Sequence, residues 1–222
     1  MTAPAEIVVP SFIEERTLQA QGYGWVAGVD EVGRGPLAGP LMAAAVVFAS
    51  DFGAPWLDQV RDSKRLTPKR RETLCQQIRE AAMVGVGLVP PEEIDDQGIG
   101  RAVKLAMGRA VADLPQRPSF LLIDAVRLPE LGLPQKSIIG GDKRCLSIAA
   151  ASIVAKVTRD HLMEELDLQY PGYGFAAHKG YGTKEHLRCL QELGPCRIHR
   201  RCFAPVKAFF SLDLVGGQQN AP

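Results

Sequence analysis

The sequence lacks the features that mark secreted, membrane-spanning and zinc-cysteine proteins. Its five cysteines include no Cys-x-x-Cys pair, and the steps of seven and six residues between Cys189, Cys196 and Cys202 match no usual zinc-ligand spacing. The longest apolar run, residues 37–49, contains a glycine and a proline and is too short to span a bilayer. No charged segment followed by an apolar stretch opens the chain. We therefore expect a cytoplasmic protein with free thiols and no membrane segment.

The chain also has almost no net charge, because 26 basic and 25 acidic side chains give a formal total of +1. The charges are nevertheless segregated along the sequence. Residues 61–71 carry six basic side chains against one acidic one, and residues 184–207 carry six against two. Such segments can meet a phosphate backbone, although a charged run is also the usual surface of a solvated helix. The near-zero total therefore excludes only a uniformly basic protein.

Apolar periodicity predicts strands and helices that are mixed along the chain. Strands are predicted over 25–32, 41–48, 84–89 and 120–124, and helices over 12–20, 68–82, 99–114, 146–168, 183–193 and 206–212. The first helix is expected to begin with a capping box formed by Ser11 and Glu14. This pattern indicates an α/β sheet domain with a helical C-terminal appendage.

Acidic residues lie where two of the predicted strands end. Asp30 and Glu31 close one apolar strand, and Asp124 closes another. Carboxylates at the carboxyl ends of strands in an open α/β sheet can converge on a hard divalent cation such as Mg²⁺ or Mn²⁺. Each acid could instead be an ordinary cap of a loop.

A glycine-rich bend follows the first acidic pair. Gly33, Arg34 and Gly35 would let the backbone approach a ligand and offer N–H groups, while the arginine matches phosphate oxygens. The same pattern also fits a tight turn between two strands. Further along, Tyr181 lies between two glycines, as a platform for stacking on a nucleotide would need.

Taken in order, these motifs resemble those of bacterial ribonuclease HII, the type 2 ribonuclease H, over about residues 25–210. The resemblance rests on AGVDEVGRGP at 27–36, DSKRL at 62–66, LID at 122–124, GD at 141–142, AASIVAKVTRD at 150–160 and HKGY at 178–181. It implies a ribonuclease H-like fold, in which helices flank a mixed five-stranded sheet and a helical C-terminal extension follows. The catalytic domain would cover 25–213, between a tail with a short helix over 1–24 and a tail over 214–222.

The resemblance implies an endonuclease that degrades the RNA strand of RNA–DNA hybrids. It further implies incision on the 5′ side of single ribonucleotides embedded in duplex DNA, as in ribonucleotide removal during DNA replication and repair. Two Mg²⁺ or Mn²⁺ ions would drive a hydrolysis that leaves 3′-hydroxyl and 5′-phosphate ends. The implied acids are Asp30, Glu31, Asp124 and Asp142, with Asp160 as a rival for the fourth position.

The substrate contacts also follow from the resemblance. The 33–35 bend would recognise the 2′-hydroxyl of the ribonucleotide, and Tyr181 would stack on the sugar of the following deoxynucleotide. Lys64 and Lys156 are the implied phosphate contacts. A departure from the expected pattern occurs at Cys202, where a serine would be usual.

Two other functions stay compatible with the acids. A DNA nuclease or junction resolvase of the same superfamily would use the same carboxylates but would have no 2′-hydroxyl to recognise. A catalytically silent hybrid-binding module would have no need of all four acids. The sequence shows no sign of an oligomer interface, so we expect a monomer, and recruitment by a sliding clamp through the tail stays open.

Overall fold

The computed structural model describes residues 9–212, and the chain forms two compact units. The sheet unit comprises the chain up to Val32, Met42–Leu88 and Lys104–Val157, and the helical unit comprises Gly33–Leu41, Val89–Val103 and the chain from Thr158 onward. The predicted tail over 214–222 lies outside the described residues, as do residues 1–8 of the predicted N-terminal tail.

A mixed five-stranded sheet forms the centre of the sheet unit and confirms the expected fold class. Its strands are β1 (Val26–Val32), β2 (Leu41–Val47), β3 (Met83–Val89), β4 (Phe120–Asp124) and β5 (Gln135–Ile138). The spatial order is β3-β2-β1-β4-β5, with β1 antiparallel to β2 and parallel to β4, and β4 parallel to β5. Since β1 is paired on both sides, its apolar run is buried, as periodicity predicts for a central strand.

The helices follow the predicted pattern with two additions. They are α1 (Ile13–Ala20), α2 (Pro68–Ala81), α3 (Pro91–Gln97), α4 (Ile99–Ala112), α5 (Leu146–Gln169), α6 (Phe175–His178), α7 (Lys184–Leu193) and α8 (Val206–Leu212). The start of α2 is as expected, because the Thr67 side chain accepts a hydrogen bond from the Arg70 N–H and Pro68 is the first helical residue. The short helices α3 and α6 were not predicted. Within residues 9–212, no helix is long and apolar enough to cross a membrane.

Small and branched side chains of α5 form the core of the sheet unit. Ile153 and Val154 are fully buried and belong to one apolar cluster with Val46 of β2 and with Leu74 and Ile78 of α2. Each buried side chain of this size contributes about 1.5–3 kcal/mol to folding. The first half of α5 is thereby fixed within the unit that carries the sheet.

The predicted capping box at α1 is wrong. Phe12 is the N-cap residue and makes no side-chain cap. Ser11 is instead bridged to the segment before α5, since its N–H donates to the Arg144 carbonyl (3.1 Å) and its carbonyl accepts the Leu146 N–H (3.1 Å). Ser11 therefore pairs with a segment that is distant in sequence and does not serve as the N-cap of α1.

The buried carboxylate of Glu15 reinforces this attachment. Glu15 accepts hydrogen bonds from the Ser147 N–H (2.9 Å) and the Ser147 hydroxyl (2.6 Å) at the start of α5. A carboxylate at a helix N-terminus satisfies N–H groups that have no partner within the helix. The N-terminal helix thus caps α5 rather than standing apart as an independent segment.

The helical unit has its own apolar clusters. One contains Ala38, Met163, Tyr173, Phe175, Cys189 and Ile198, and a second contains Leu37, Leu190 and Val206. Both clusters include a residue from the 33–41 segment, so the chain that follows β1 is part of this core. The glycine-rich bend is therefore held by packing within the helical unit.

Candidate active site

The first two acids lie at the carboxyl end of β1, where the sheet leaves room for them. Asp30 and Glu31 are paired in register with Ala44 and Ala43 of β2, whose side chains are small. Asp30 is 6% exposed, and its Oδ1 accepts a hydrogen bond from the Glu31 N–H at 2.8 Å. Burial raises the pKa of Asp30 well above its usual value, and the negative charges of Glu31 and Asp124 raise it further.

Asp124 is the last residue of β4, and the register of the sheet places it beside the first pair. Val29 of β1 is aligned with Ile123 of the parallel strand β4, so the acids follow at the same end of neighbouring strands. The Oδ1 of Asp124 accepts a hydrogen bond from the Gly141 N–H at 2.7 Å. This bond ties the end of β4 to the turn that carries the fourth predicted acid.

Asp142 lies in that turn, a short 3₁₀ segment over Gly141–Lys143. Burial raises its pKa, and the charges of Asp62 and Asp124 raise it further, whereas Lys143 and Lys64 lower it. Asp124 therefore acts electrostatically on both Asp30 and Asp142, so the four predicted acids form one connected group in the sheet unit.

Asp160, the rival for the fourth position, has a different setting. It lies on the second half of α5 in the helical unit, where its charge favours the charged form of its neighbour Arg159. Asp142, unlike Asp160, lies in the sheet unit, where the charge of Asp124 raises its pKa.

The chemistry of this acid group fits a divalent cation. A buried carboxylate that faces two further carboxylates is costly unless a positive charge compensates it. Within residues 9–212, no group of three or more His, Cys, Asp or Glu side chains is gathered closely enough to hold a metal ion by itself. An open set of carboxylates suits Mg²⁺ or Mn²⁺, since Mg²⁺ in particular keeps several waters and also takes phosphate oxygens of a substrate as ligands.

A pair of buried serines supports the first acid and was missed by the sequence analysis. The Ser152 hydroxyl of α5 hydrogen-bonds the Asp30 carboxylate and favours its charged form. The Ser152 and Ser63 hydroxyls are 2.9 Å apart and both side chains are buried. The only signal in the sequence is that both serines lie inside the motifs that carry the resemblance.

The basic residues around Ser63 divide into two groups. Lys64 is exposed on the turn over Ser63–Arg65, close enough to Asp142 to affect its pKa, and Lys156 is half-buried on α5. Arg71, by contrast, points inward and donates to the carbonyls of Ser63 (3.0 Å) and Leu66 (2.6 Å). Arg71 therefore stabilises the loop that presents Lys64 instead of adding to a phosphate-binding surface.

The bend at 33–35 is held from inside the helical unit by Arg200, which is fully buried. Its guanidinium donates to the carbonyls of Gly33 (2.7 Å), Arg34 (3.2 Å) and Gly39 (3.0 Å). Burial, with the charge of Arg159 added, lowers the pKa of Arg200 to about 9, which leaves the side chain charged at neutral pH. The planar fork of an arginine is suited to several carbonyls at once.

Arg159 is the second buried guanidinium of this loop. It donates to the carbonyls of Pro40 (2.9 Å), Ala38 (3.3 Å) and Lys179 (2.9 Å). Gly33 has φ +93°, and a Cβ on it would lie 2.5 Å from the Arg159 Nε. Glycine at this position is thus required by backbone conformation and by the close approach of Arg159.

Tyr181 is near the bend, in the same unit. Its side chain is 40% exposed, a Cβ built on Gly35 would lie 3.9 Å from its Cε1, and the Arg159 guanidinium carbon is 6.0 Å from the ring centroid. The structure therefore brings together Gly35, Tyr181 and a buried cation.

Two arginines of the second basic segment, residues 184–207, form ion pairs within the protein. Arg188 contacts Glu185 (2.5 Å) and Glu192 (2.7 Å), and Arg197 contacts Glu92 (3.3 Å). Together with the burial of Arg200, these pairs leave this segment with less positive charge for a partner than its composition suggests.

Comparison with known proteins identifies the family. Residues 27–206 match the family model for ribonuclease HII. A ribonuclease HII from Dehalococcoides mccartyi is 52% identical over 205 residues, which cover 92% of this chain and 97% of the relative. The ribonuclease H2 structure from Pyrococcus horikoshii OT3 has a TM-score of 0.72 at 29% identity, covering 85% of this chain and 98% of that one. The structure of a PCNA:RNase HII complex from Archaeoglobus fulgidus has a TM-score of 0.69 at 28% identity. That match covers 81% of this chain and 95% of the other.

The family match contains every motif of the sequence analysis, from the acids of β1 to Tyr181. It agrees with a mixed sheet whose central strands carry acids suited to a divalent ion. The chain belongs to the ribonuclease HII family and is a metal-dependent ribonuclease H that acts on RNA–DNA hybrids.

Proposed function

We propose that this ribonuclease H also incises duplex DNA on the 5′ side of a single embedded ribonucleotide, in ribonucleotide removal during DNA replication and repair. The orientation of the backbone at 33–35 carries this proposal. Arg200 binds the carbonyls of Gly33 and Arg34, and in a trans peptide unit the N–H points opposite to the C=O. The N–H groups of Arg34 and Gly35 are therefore directed away from Arg200, and both residues are exposed. Such donors can bind the 2′-hydroxyl, which deoxyribose lacks.

Asp30, Glu31, Asp124 and Asp142 would hold two Mg²⁺ or Mn²⁺ ions. When bound, these ions supply Lewis-acid activation of water and stabilise charge on the leaving 3′ oxygen, so that the products carry 3′-hydroxyl and 5′-phosphate ends. The chain orients the acids in advance. Ser152 and the Glu31 N–H hydrogen-bond Asp30, and the Gly141 N–H hydrogen-bonds Asp124. Because these donors are fixed, little reorganisation is needed when substrate binds.

The remaining contacts follow the chemistry of each side chain. Lys64 and Lys156 would bind backbone phosphates as point charges. Tyr181 would stack on the sugar of the deoxynucleotide that follows the ribonucleotide, with its ring beside Gly35 and its exposed face available. Together these contacts would favour a junction from RNA to DNA.

The test is incision of a DNA duplex that carries one ribonucleotide, with Mg²⁺ present. The matched control is the same duplex with deoxyribose at that position. We expect a single cut on the 5′ side of the ribonucleotide and no cut in the control, with products resolved on a denaturing gel and their ends identified by ligation. A cut that ignores the replacement of ribose by deoxyribose, or no cut at all, would contradict the proposal.

A further inference from the structure

Three histidines of the helical unit form a connected network beneath the segment that carries Tyr181. The Nε2 atoms of His186 and His199 are 3.1 Å apart, and the Nδ1 of His186 is 2.9 Å from the Tyr181 carbonyl oxygen. The ring of His178 stacks on that of His186, with centroids 4.4 Å apart. His186 and His199 are fully buried, and neither has a role in the proposed chemistry.

A backbone N–H on one side and a backbone carbonyl on the other fix the tautomers of the pair. The Cys196 N–H donates to the Nδ1 of His199 at 3.0 Å, so this Nδ1 carries no proton. A neutral His199 then has its proton on Nε2 and donates to the Nε2 of His186. His186 in turn has its proton on Nδ1, and the Tyr181 carbonyl accepts it. The chain of donors therefore runs from Cys196 through both rings to Tyr181.

His178 is fixed by the same logic on the other side of the segment. Its Nδ1 accepts the Gly180 N–H at 3.2 Å, so its Nε2 donates to the Tyr173 carbonyl at 2.8 Å. Histidine rings thus bind the peptide group between Lys179 and Gly180 and the peptide group that follows Tyr181. An uncharged state suits this buried site, because a protonated ring could not accept these N–H and ring donors.

We propose that His186 and His199 are positioning residues that set the Tyr181 backbone, and hence the preference of the enzyme for a junction from ribonucleotide to deoxynucleotide. The inference rests on the role of Tyr181 in the proposed function. The phenol ring can stack on one sugar only if its backbone is fixed. The His186 donor ties this backbone to α7 together with the Thr183 N–H, which donates to the same carbonyl at 2.8 Å. The network explains two buried histidines that a merely apolar core would not need.

The first test needs no substrate. Nitrogen-15 NMR of the labelled wild-type protein reports which ring nitrogen of each histidine carries the proton. We expect His199 protonated on Nε2 and His186 protonated on Nδ1 at pH 7. The opposite tautomer on either ring would overturn the network, whatever the activity of the enzyme.

The second test uses two amides that imitate different nitrogens of His186. An asparagine side chain places its N–H near the position of Nδ1, and a glutamine side chain places it near Nε2. We expect His186→Asn to keep the junction preference. His186→Gln should lower the preference about 5-fold, the size of one lost hydrogen bond. The preference is the ratio of kcat/KM for a single-ribonucleotide duplex to that for a hybrid with an all-RNA strand.

A double-mutant cycle with Tyr181→Ala separates the possible failures. If His186→Gln acts through Tyr181, it should cause no further loss of preference in the Tyr181→Ala background. Incision by wild type without any effect of Tyr181→Ala would refute the role of Tyr181 and this inference with it. An effect of Tyr181→Ala combined with an additive effect of His186→Gln would refute only the inference. Should neither His186 variant fold, the tautomers of the wild-type protein decide the question.

Discussion

The carboxylate of Asp124 occupies the middle of the acid group, since its charge raises the pKa of both Asp30 and Asp142. Replacing Asp124 or Asp142 by asparagine removes an anionic ligand with little change in shape. We expect either change to lower the rate of incision more than about 100-fold, beyond the usual effect of altering an outer-shell group, while binding of the hybrid is retained. Single-turnover incision and fluorescence anisotropy measure the two quantities.

Asp160→Asn is the matched control for this pair, because it removes the rival carboxylate from α5. The variant should keep most of the activity. Loss of incision in Asp160→Asn together with full activity in Asp142→Asn would mean that Asp160, and not Asp142, is the fourth acid.

Ser152 acts one step away from the proposed metal site, through its hydrogen bond to Asp30. Ser152→Ala should weaken binding of Mn²⁺ about 10-fold, as is typical when the partner of a ligating carboxylate is lost. Isothermal titration calorimetry measures this affinity without any substrate. Ser119→Ala is the control, since Ser119 precedes the opposite end of β4 and bonds the Trp25 backbone. Equal affinity in wild type and Ser152→Ala would remove Ser152 from the site.

The sequence points to a residue when burying that type of side chain at that position would cost free energy. Asp30 and Asp124 could be proposed as site residues because carboxylates end apolar strands. Ser152 gave no such signal, since a serine in a small-residue helix is unremarkable until its partner is known. Arg200 was counted with a surface charge cluster, because sequence does not show which arginine of a basic run is buried.

At the scale of elements, the loop from Gly33 to Pro40 depends on two buried guanidinium groups. Arg200→Lys keeps the charge but loses the planar fork that binds three carbonyls. We expect the free energy of unfolding to fall by about 2–4 kcal/mol, since hydrogen bonds to charged groups contribute about 1.5–3 kcal/mol each. The preference for ribose over deoxyribose should fall as well, because the N–H groups of the bend lose their orientation.

The control for this change is Arg197→Lys, in the same segment but exposed and paired with Glu92. An exposed pair contributes little, so its free energy of unfolding should stay within about 0.5 kcal/mol of wild type. Urea denaturation and the paired ribose and deoxyribose duplexes provide the two measurements. Equal stability of the two lysine variants would show that the buried fork does not hold the loop.

Among the elements, the central strands and long helices were predicted because their apolar periods are long and regular. Strand β5 was missed as a local pattern because Gln135 and Lys136 are polar, as suits a strand at the edge of the sheet. Helix α3 was not predicted, although its residues 92–96 include four acids. Its Asp95 in fact accepts the N–H groups of Arg201 and Cys202 at 2.9 Å each, a contact between distant parts of the sequence.

For the molecule as a whole, stability at low pH should depend on the histidine network. Burial, with the neighbouring His186 and His178 adding to its effect, lowers the pKa of His199 to about 4. The unfolded chain takes up this proton near pH 6.5 and the native protein does not, so the contribution of His199 is present above pH 6.5 and is lost towards pH 4. Its size is about 3 kcal/mol by this linkage.

The comparison of wild type with His199→Gln isolates this contribution, because Asp30 and Asp142 titrate in both proteins. The difference in their free energies of unfolding should shrink as pH falls from 6.5 to 4. Urea denaturation across this range measures the difference. A difference that stays constant with pH would mean that His199 is not held neutral by the fold.

The position of β1 has a consequence for how the molecule opens. This strand is paired on both sides in the middle of the sheet, and its backbone N–H groups should be among the last to exchange with solvent. The carboxylates of Asp30 and Glu31, which this strand carries, should therefore keep their spacing while other parts of the protein open locally.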